Sequence, residues 1–199
     1  MEARITHTSG TDVYIERSDG VTAKVNLEIF SEADQQYINE WSLNELLSDD
    51  IFDVRFRQKI SDENKYTENR IIHEEYSVHY DLVITNNDRD NDLNNIRVEY
   101  LILKFEDAIA AEEKNDGEVK RIKKTITHDT IKAREEIQLQ TEKFAMLETQ
   151  LTPGTVWKNG GIRNSKDVVR GIWVKVYVGE KLVAEASKPK NMMRKQSWN

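Results

Sequence analysis

Apolar residues fall on every second position through most of this chain, and alternation of that kind predicts half-buried strands. Positions 3–8, 12–17 and 21–27 read as three short strands. Val13 and Ile15, then Val21, Ala23, Val25 and Leu27, give each a single apolar face. Ser9-Gly10 and Ser18-Asp19-Gly20 separate them, and Asp-Gly between alternating segments is a strong hairpin signal. The period then changes. Ser31 with Asp34 three residues on has capping-box spacing, and Tyr37, Ile38 and Trp41 follow at helical intervals. A second cap at Ser42, flanked by Trp41 and Leu46, makes 31–48 one or two short helices. Asp49-Asp50 marks a junction.

From residue 51 the two-residue period returns and persists. Strands are predicted at 51–60, 76–84, 96–105, 119–128, 137–147, 168–178 and 182–186. Tyr76, Val78, Tyr80, Leu82 and Ile84 share a face, as do Ile96, Val98, Tyr100 and Ile102. Ile172, Val174, Val176 and Val178 repeat the pattern, with Trp173 and Tyr177 opposite. Gly179-Glu180 makes a tight hairpin. The run 106–113 has helical propensity and is expected as an excursion between strands. Seven strands with widely spaced turns suggest an antiparallel sandwich.

Two resemblances follow from these residues. Gly20 in its Asp-Gly turn, then Phe30-Ser31-Glu32-Ala33-Asp34-Gln35-Gln36-Tyr37-Ile38 and Trp41, resemble the first homology domain of the endocytic clathrin adaptor that binds Asn-Pro-Phe peptides. Similar modules occur in exported bacterial proteins, and the likeness covers roughly residues 1–42. It implies a small barrel-like peptide-binding module. Phe30 stands where the pattern has Leu, and the peptide-binding residues of the eukaryotic example have no match here. Further on, Tyr80-x-x-Val83-x-x-Asn86, Asn95-x-Arg97-Val98-Glu99-Tyr100 and Gly171–Tyr177 resemble immunoglobulin-like or fibronectin-like domains of bacterial cell-envelope proteins. The expected fold is therefore mainly β: an immunoglobulin-like sandwich at 51–190 after a small barrel-like module at 1–48, with a basic tail at 191–199. The module is expected to lean on the sandwich through Trp41, Leu46 and Leu47.

Composition narrows the chemistry. Over 199 residues, 36 acidic and 29 basic side chains leave a net charge of −7. That balance argues against a nucleic-acid partner, which needs a basic face. The absence of cysteine excludes disulfides, thiolate metal sites and Cys nucleophiles. No apolar run approaches the length of a membrane span. Met1-Glu2-Ala3-Arg4 carries no charged-then-apolar leader, as a mature exported chain would also look. The expected location is the periplasm or cell surface, with the cytoplasm as the alternative.

Candidate chemistry is sparse. Asp88, Asp90 and Asp92 with Glu99 mimic part of a calcium loop, but Leu93 occupies the position that needs glycine, so a solvated hairpin loop is expected. Among His7, His73, His79 and His128, only His73 and His79 fall on one strand face, with no third ligand by spacing. Asp107, Glu112 and Glu113 form a charge run rather than an acid–base pair, and Lys158-Asn159-Gly160-Gly161 lacks phosphate-loop spacing. No catalytic residue, cofactor or metal is expected. Trp157, Trp173 and Tyr177 are the candidate binding surface, with Trp173 more often a core residue in a sandwich strand. The function read from these features is a non-enzymatic binding or structural protein of a bacterial envelope, surface- or pilus-associated. Its partner would be a protein or peptide. The alternative is a carbohydrate-binding module or an accessory domain of a glycan-degrading system.

Overall fold

The computed structural model describes residues 3–46, 52–107, 117–156 and 162–198. It opens on an antiparallel meander of β1 (Ala3–Ser9), β2 (Asp12–Arg17) and β3 (Thr22–Asn26). Gly10 and Gly20 turn the two hairpins at φ of 57° and 83°, a region costly for a residue with a Cβ. A 3-10 turn (Leu27–Ile29) leads into α1 (Glu32–Leu46). Ser31 caps that helix: its Oγ accepts the Asp34 N–H at 3.2 Å and donates to the Asp34 carboxylate at 2.7 Å. The helix runs through Ser42 unbroken. The Ser42 hydroxyl meets Thr8 Oγ1 at 2.6 Å, tying helix to β1 instead of capping a second helix. Since, among the described residues, β1 and β3 each pair with β2 alone, the barrel-like expectation narrows to an open meander with a helix against it. Val13 and Ile38 form its buried apolar centre, and Trp41 is half-buried. Leu47 and the side chain of Leu46 lie outside the described residues.

Nine strands follow: β4 (Phe52–Glu68), β5 (Ile71–Asn86), β6 (Leu93–Glu106), β7 (Glu118–Ile131), β8 (Glu136–Gln140), β9 (Phe144–Leu151), β10 (Asn164–Lys166), β11 (Val168–Val178) and β12 (Lys181–Lys188). One sheet has the order β10-β9-β5-β4, with β8 also on β5, and the other β12-β11-β6-β7. Every pairing is antiparallel. The chain changes sheet after β5, after β7 and after β10, which is the order of an immunoglobulin-like sandwich.

The core is the set of same-parity residues that the alternation singles out. Leu82 and Ile84 of β5 pack in one cluster with Val98 and Ile102 of β6 and Ile172, Val174 and Val176 of β11, all with no exposed surface. Each such side chain contributes about 1.5–3 kcal/mol of transfer free energy, so this layer dominates the stability of the sandwich.

Three features depart from expectation. The segment 137–147 is two strands, because Thr141 breaks it: its Oγ1 accepts the Tyr80 N–H at 2.9 Å and its own N–H donates to the Tyr80 carbonyl at 3.0 Å. Glu142 N–H then donates to the hydroxyl of the buried Tyr100, linking the break to the other sheet. The polar strand β10 was not among the seven expected. β4 and β5 also run further than 51–60 and 76–84, joined through Asn69 and Arg70 at φ of 50° and 64°. The expected helical excursion at 106–113 lies almost wholly outside the described residues.

Candidate binding surfaces

Asp167 is the single residue between β10 in one sheet and β11 in the other. Its carboxylate accepts the Leu147 N–H at 3.0 Å and the Asp107 N–H at 3.1 Å, and lies 2.9 Å from Lys104 Nζ. Lys104 also donates to Glu106 at 2.8 Å, and Lys120 reaches the same carboxylate at 2.5 Å. Lys104, then Lys120, hold the Glu106 carboxyl below its ordinary range. The charges of this cluster satisfy one another, so it acts as a clamp at the corner where the sheets join. Nothing in the sequence marks Asp167 as such, because its role depends on the sheet change.

The candidate ligands do not converge. Asp88 Oδ1 accepts the N–H groups of Asp90 (2.8 Å) and Asn91 (2.7 Å), the turn chemistry expected of a hairpin loop. Asp92 accepts the Ala133 N–H, and Glu99 pairs with Arg97 on the strand. The buried Asn86 anchors this loop, its Nδ2 donating to the carbonyls of Asn91, Ile131 and Lys132. His73 stacks on Tyr66 at 4.8 Å. His79 is buried, with Nε2 3.7 Å from Asp81 and Nδ1 unpartnered. Asp107 accepts the Lys166 N–H, while Glu112 and Glu113 lie outside the described residues. Among the described residues, no group of three or more His, Cys, Asp or Glu is arranged to hold a metal.

Of the three aromatic candidates, Trp157 lies outside the described residues, as do Lys158 to Gly161. Trp173 and Tyr177 share the outer face of the β12-β11-β6-β7 sheet. Tyr177 is half-buried beneath the Arg97 guanidinium, 4.1 Å from its ring centroid. Trp173 is only 6% exposed, because the chain itself covers it. Its indole N–H donates to Glu185 at 3.0 Å, and Trp198 meets its ring edge-on at 4.9 Å. The tail responsible for this cover, expected as a basic extension, is folded back: α2 (Met192–Lys195) places Met192 with Leu101, Leu103 and Trp173.

Among the described residues, β7 is one of the strands that end a sheet. β7 pairs with β6 from Leu93↔Ile131 to Glu106↔Glu118, and among the described residues no strand pairs with its other side. Its side chains are largely exposed, with Lys120, Arg121, Lys123 and Lys124 concentrated in its first half.

No family model matches the chain, and no curated protein matches it. Among solved structures, the E. coli curli protein CsgC is 18% identical over 67% of this chain and 99% of that one, with a TM-score of 0.28. A Northeast Structural Genomics Consortium target, SoR45, is 14% identical over 70% of this chain and 86% of that one, with a TM-score of 0.31. Likeness at this level carries no argument; the fold assignment rests on the strand order above. No helix of the described residues is long and apolar enough to cross a membrane.

Proposed function

We propose that this chain is a non-enzymatic binding or structural protein of a bacterial cell envelope, surface- or pilus-associated, that takes a protein or peptide partner along a strand edge. The observation that supports it is the β7 edge, 14 residues long, in regular register with β6 and unpaired on its far side. Such an edge offers alternate N–H and C=O groups to an incoming strand, the main-chain basis of recognition by strand addition. The lysines answer the accompanying hazard. Lysines on an exposed edge strand discourage indiscriminate pairing with other edges. What supports the envelope placement is that the sequence of both parts resembles modules of exported and envelope proteins.

The test is photo-crosslinking in the cells that encode the protein. A photoreactive residue at Thr125 or Thr127, on the exposed face of β7, should give one discrete adduct in the envelope fraction. The same group at Glu180, in the β11–β12 hairpin, should give none. Adducts of equal yield at all three positions, or a protein confined to the cytosol, would overturn the reading.

A further inference from the structure

The outer face of the β12-β11-β6-β7 sheet has the form of a built peptide site with its peptide already in place. Leu101 is fully buried there, Leu103 is 4% exposed, and Trp173 is fixed by its bond to Glu185. What covers them is one short segment, 189–198. It makes contact through two apolar anchors, Met192 and Trp198. The Trp198 ring is gripped by cations, with Lys175 Nζ 4.6 Å and Lys123 Nζ 5.0 Å from its centroid. Arg121 donates to the Ser197 carbonyl at 2.6 Å. Beneath the methionine lies Gly171, where a Cβ would stand 2.8 Å from Met192 Sδ and 2.7 Å from the Lys188 carbonyl. The floor is therefore notched for this anchor.

The covering segment is far more exposed than the floor beneath it. Between the anchors, Met193, Arg194, Lys195, Gln196 and Ser197 face solvent, and the only regular structure is a four-residue helix. Segments with few buried contacts and exposed backbone open at the low end of a protein's stability range.

We infer that this face is a peptide-binding trough, occupied in cis by 189–198, and that a second polypeptide offering methionine and tryptophan six positions apart takes it by displacing that segment. The trough lies on the face of the sheet rather than along its edge, so the inference stands whether or not β7 takes a partner. Recognition needs a thioether for the notch at Gly171 and an indole for the space between Trp173 and the two lysines. A ligand binding a site already filled from within pays the cost of displacement, so its affinity rises once the internal copy is weakened.

The probe is a fluorescent, N-acetylated peptide with the sequence of residues 189–198, titrated into the full chain. The double variant Met192→Ala/Trp198→Ala, whose own anchors are gone, should bind it at least tenfold more tightly than the wild-type chain. Replacing the same Met and Trp within the peptide by Ala should weaken binding at least tenfold. Equal affinity of the two proteins, or of the two peptides, would overturn the inference. Should the variant lose its cooperative melting transition, the wild-type chain decides. Excess peptide should then accelerate amide exchange within 189–198, and unchanged exchange at saturating peptide would overturn the inference equally.

Discussion

Lys104 Nζ lies 2.9 Å from Asp167 Oδ2, with side-chain exposures of 8% and 7%. The pair spans the corner at which the chain passes from one sheet to the other. Two dehydrated charges hold such a position only when their remaining bonding capacity is also met, and here it is: Glu106 takes Lys104, and two backbone N–H groups reach Asp167. Asp167→Ala strips the charge partner from a buried lysine and removes the carboxylate that accepts the Leu147 and Asp107 N–H groups. It should cost about 3–5 kcal/mol in urea unfolding at neutral pH. Lys104→Met should cost less, because Asp167 keeps both N–H donors. An Asp167→Ala chain within 1 kcal/mol of wild type, roughly the worth of a surface ion pair, would show that the corner is not clamped this way.

Glu106 gives this clamp a pH dependence. Hydrogen bonds from Lys104 and then Lys120 lower its carboxyl from the ordinary 4.5. A carboxyl lowered in the folded state contributes stability that is fully present above its ordinary value and disappears as pH falls through its folded value. The melting temperature of wild type should therefore exceed that of Glu106→Gln at neutral pH. The gap should close on acidification below 4.5. A gap that stays constant or widens toward acid would contradict the assignment.

Gly171→Ala tests the seating of the tail. The added methyl would meet the Lys188 carbonyl at 2.7 Å and Met192 Sδ at 2.8 Å, and a backbone oxygen does not yield cheaply. Amide exchange should accelerate across 189–198, while Val98 and Val174 in the core keep their protection. Unaltered exchange in the tail would mean that Met192 does not rest on this glycine.

Ser31→Ala removes the hydroxyl that accepts the Asp34 N–H. Loss of an N-cap costs about 1 kcal/mol, a local amount. Exchange should speed up in the first turns of α1, with β6 unaffected. Equal acceleration in β6 would show that the meander, helix and sandwich unfold as one unit.

Much of the fold was legible because burial on one face writes itself as alternation, as in Leu82-Val83-Ile84 or Ile172-Trp173-Val174. The misses have physical causes. Ile137 and Leu139 point to the core opposite Ile84 and Leu82, whereas Phe144 and Met146 do so opposite Val78 and Tyr76. The inward parity thus changes from odd to even, and only the bonds of the Thr141 hydroxyl and the Glu142 N–H mark where. β10 is polar and three residues long, so it carries no period. Burial of Trp173 was expected of a sandwich tryptophan, but not its lid, which arrives from Met192 and Trp198. The β7 edge escaped notice for a different reason. A strand's own sequence says which face is wet, but whether its edge is paired is decided by every other strand.

The central claim, an open β7 edge that receives a strand, is tested most directly by residue-resolved amide exchange along Glu118–Ile131. In the free protein, amides bonded to β6 should exchange slowly and their alternate neighbours fast, giving a two-residue sawtooth along the strand. In the complex isolated by crosslinking at Thr127, the fast set should become protected and the slow set should stay as it was. Uniform slow exchange along β7 in the free chain, or a sawtooth unchanged in the complex, would contradict the account.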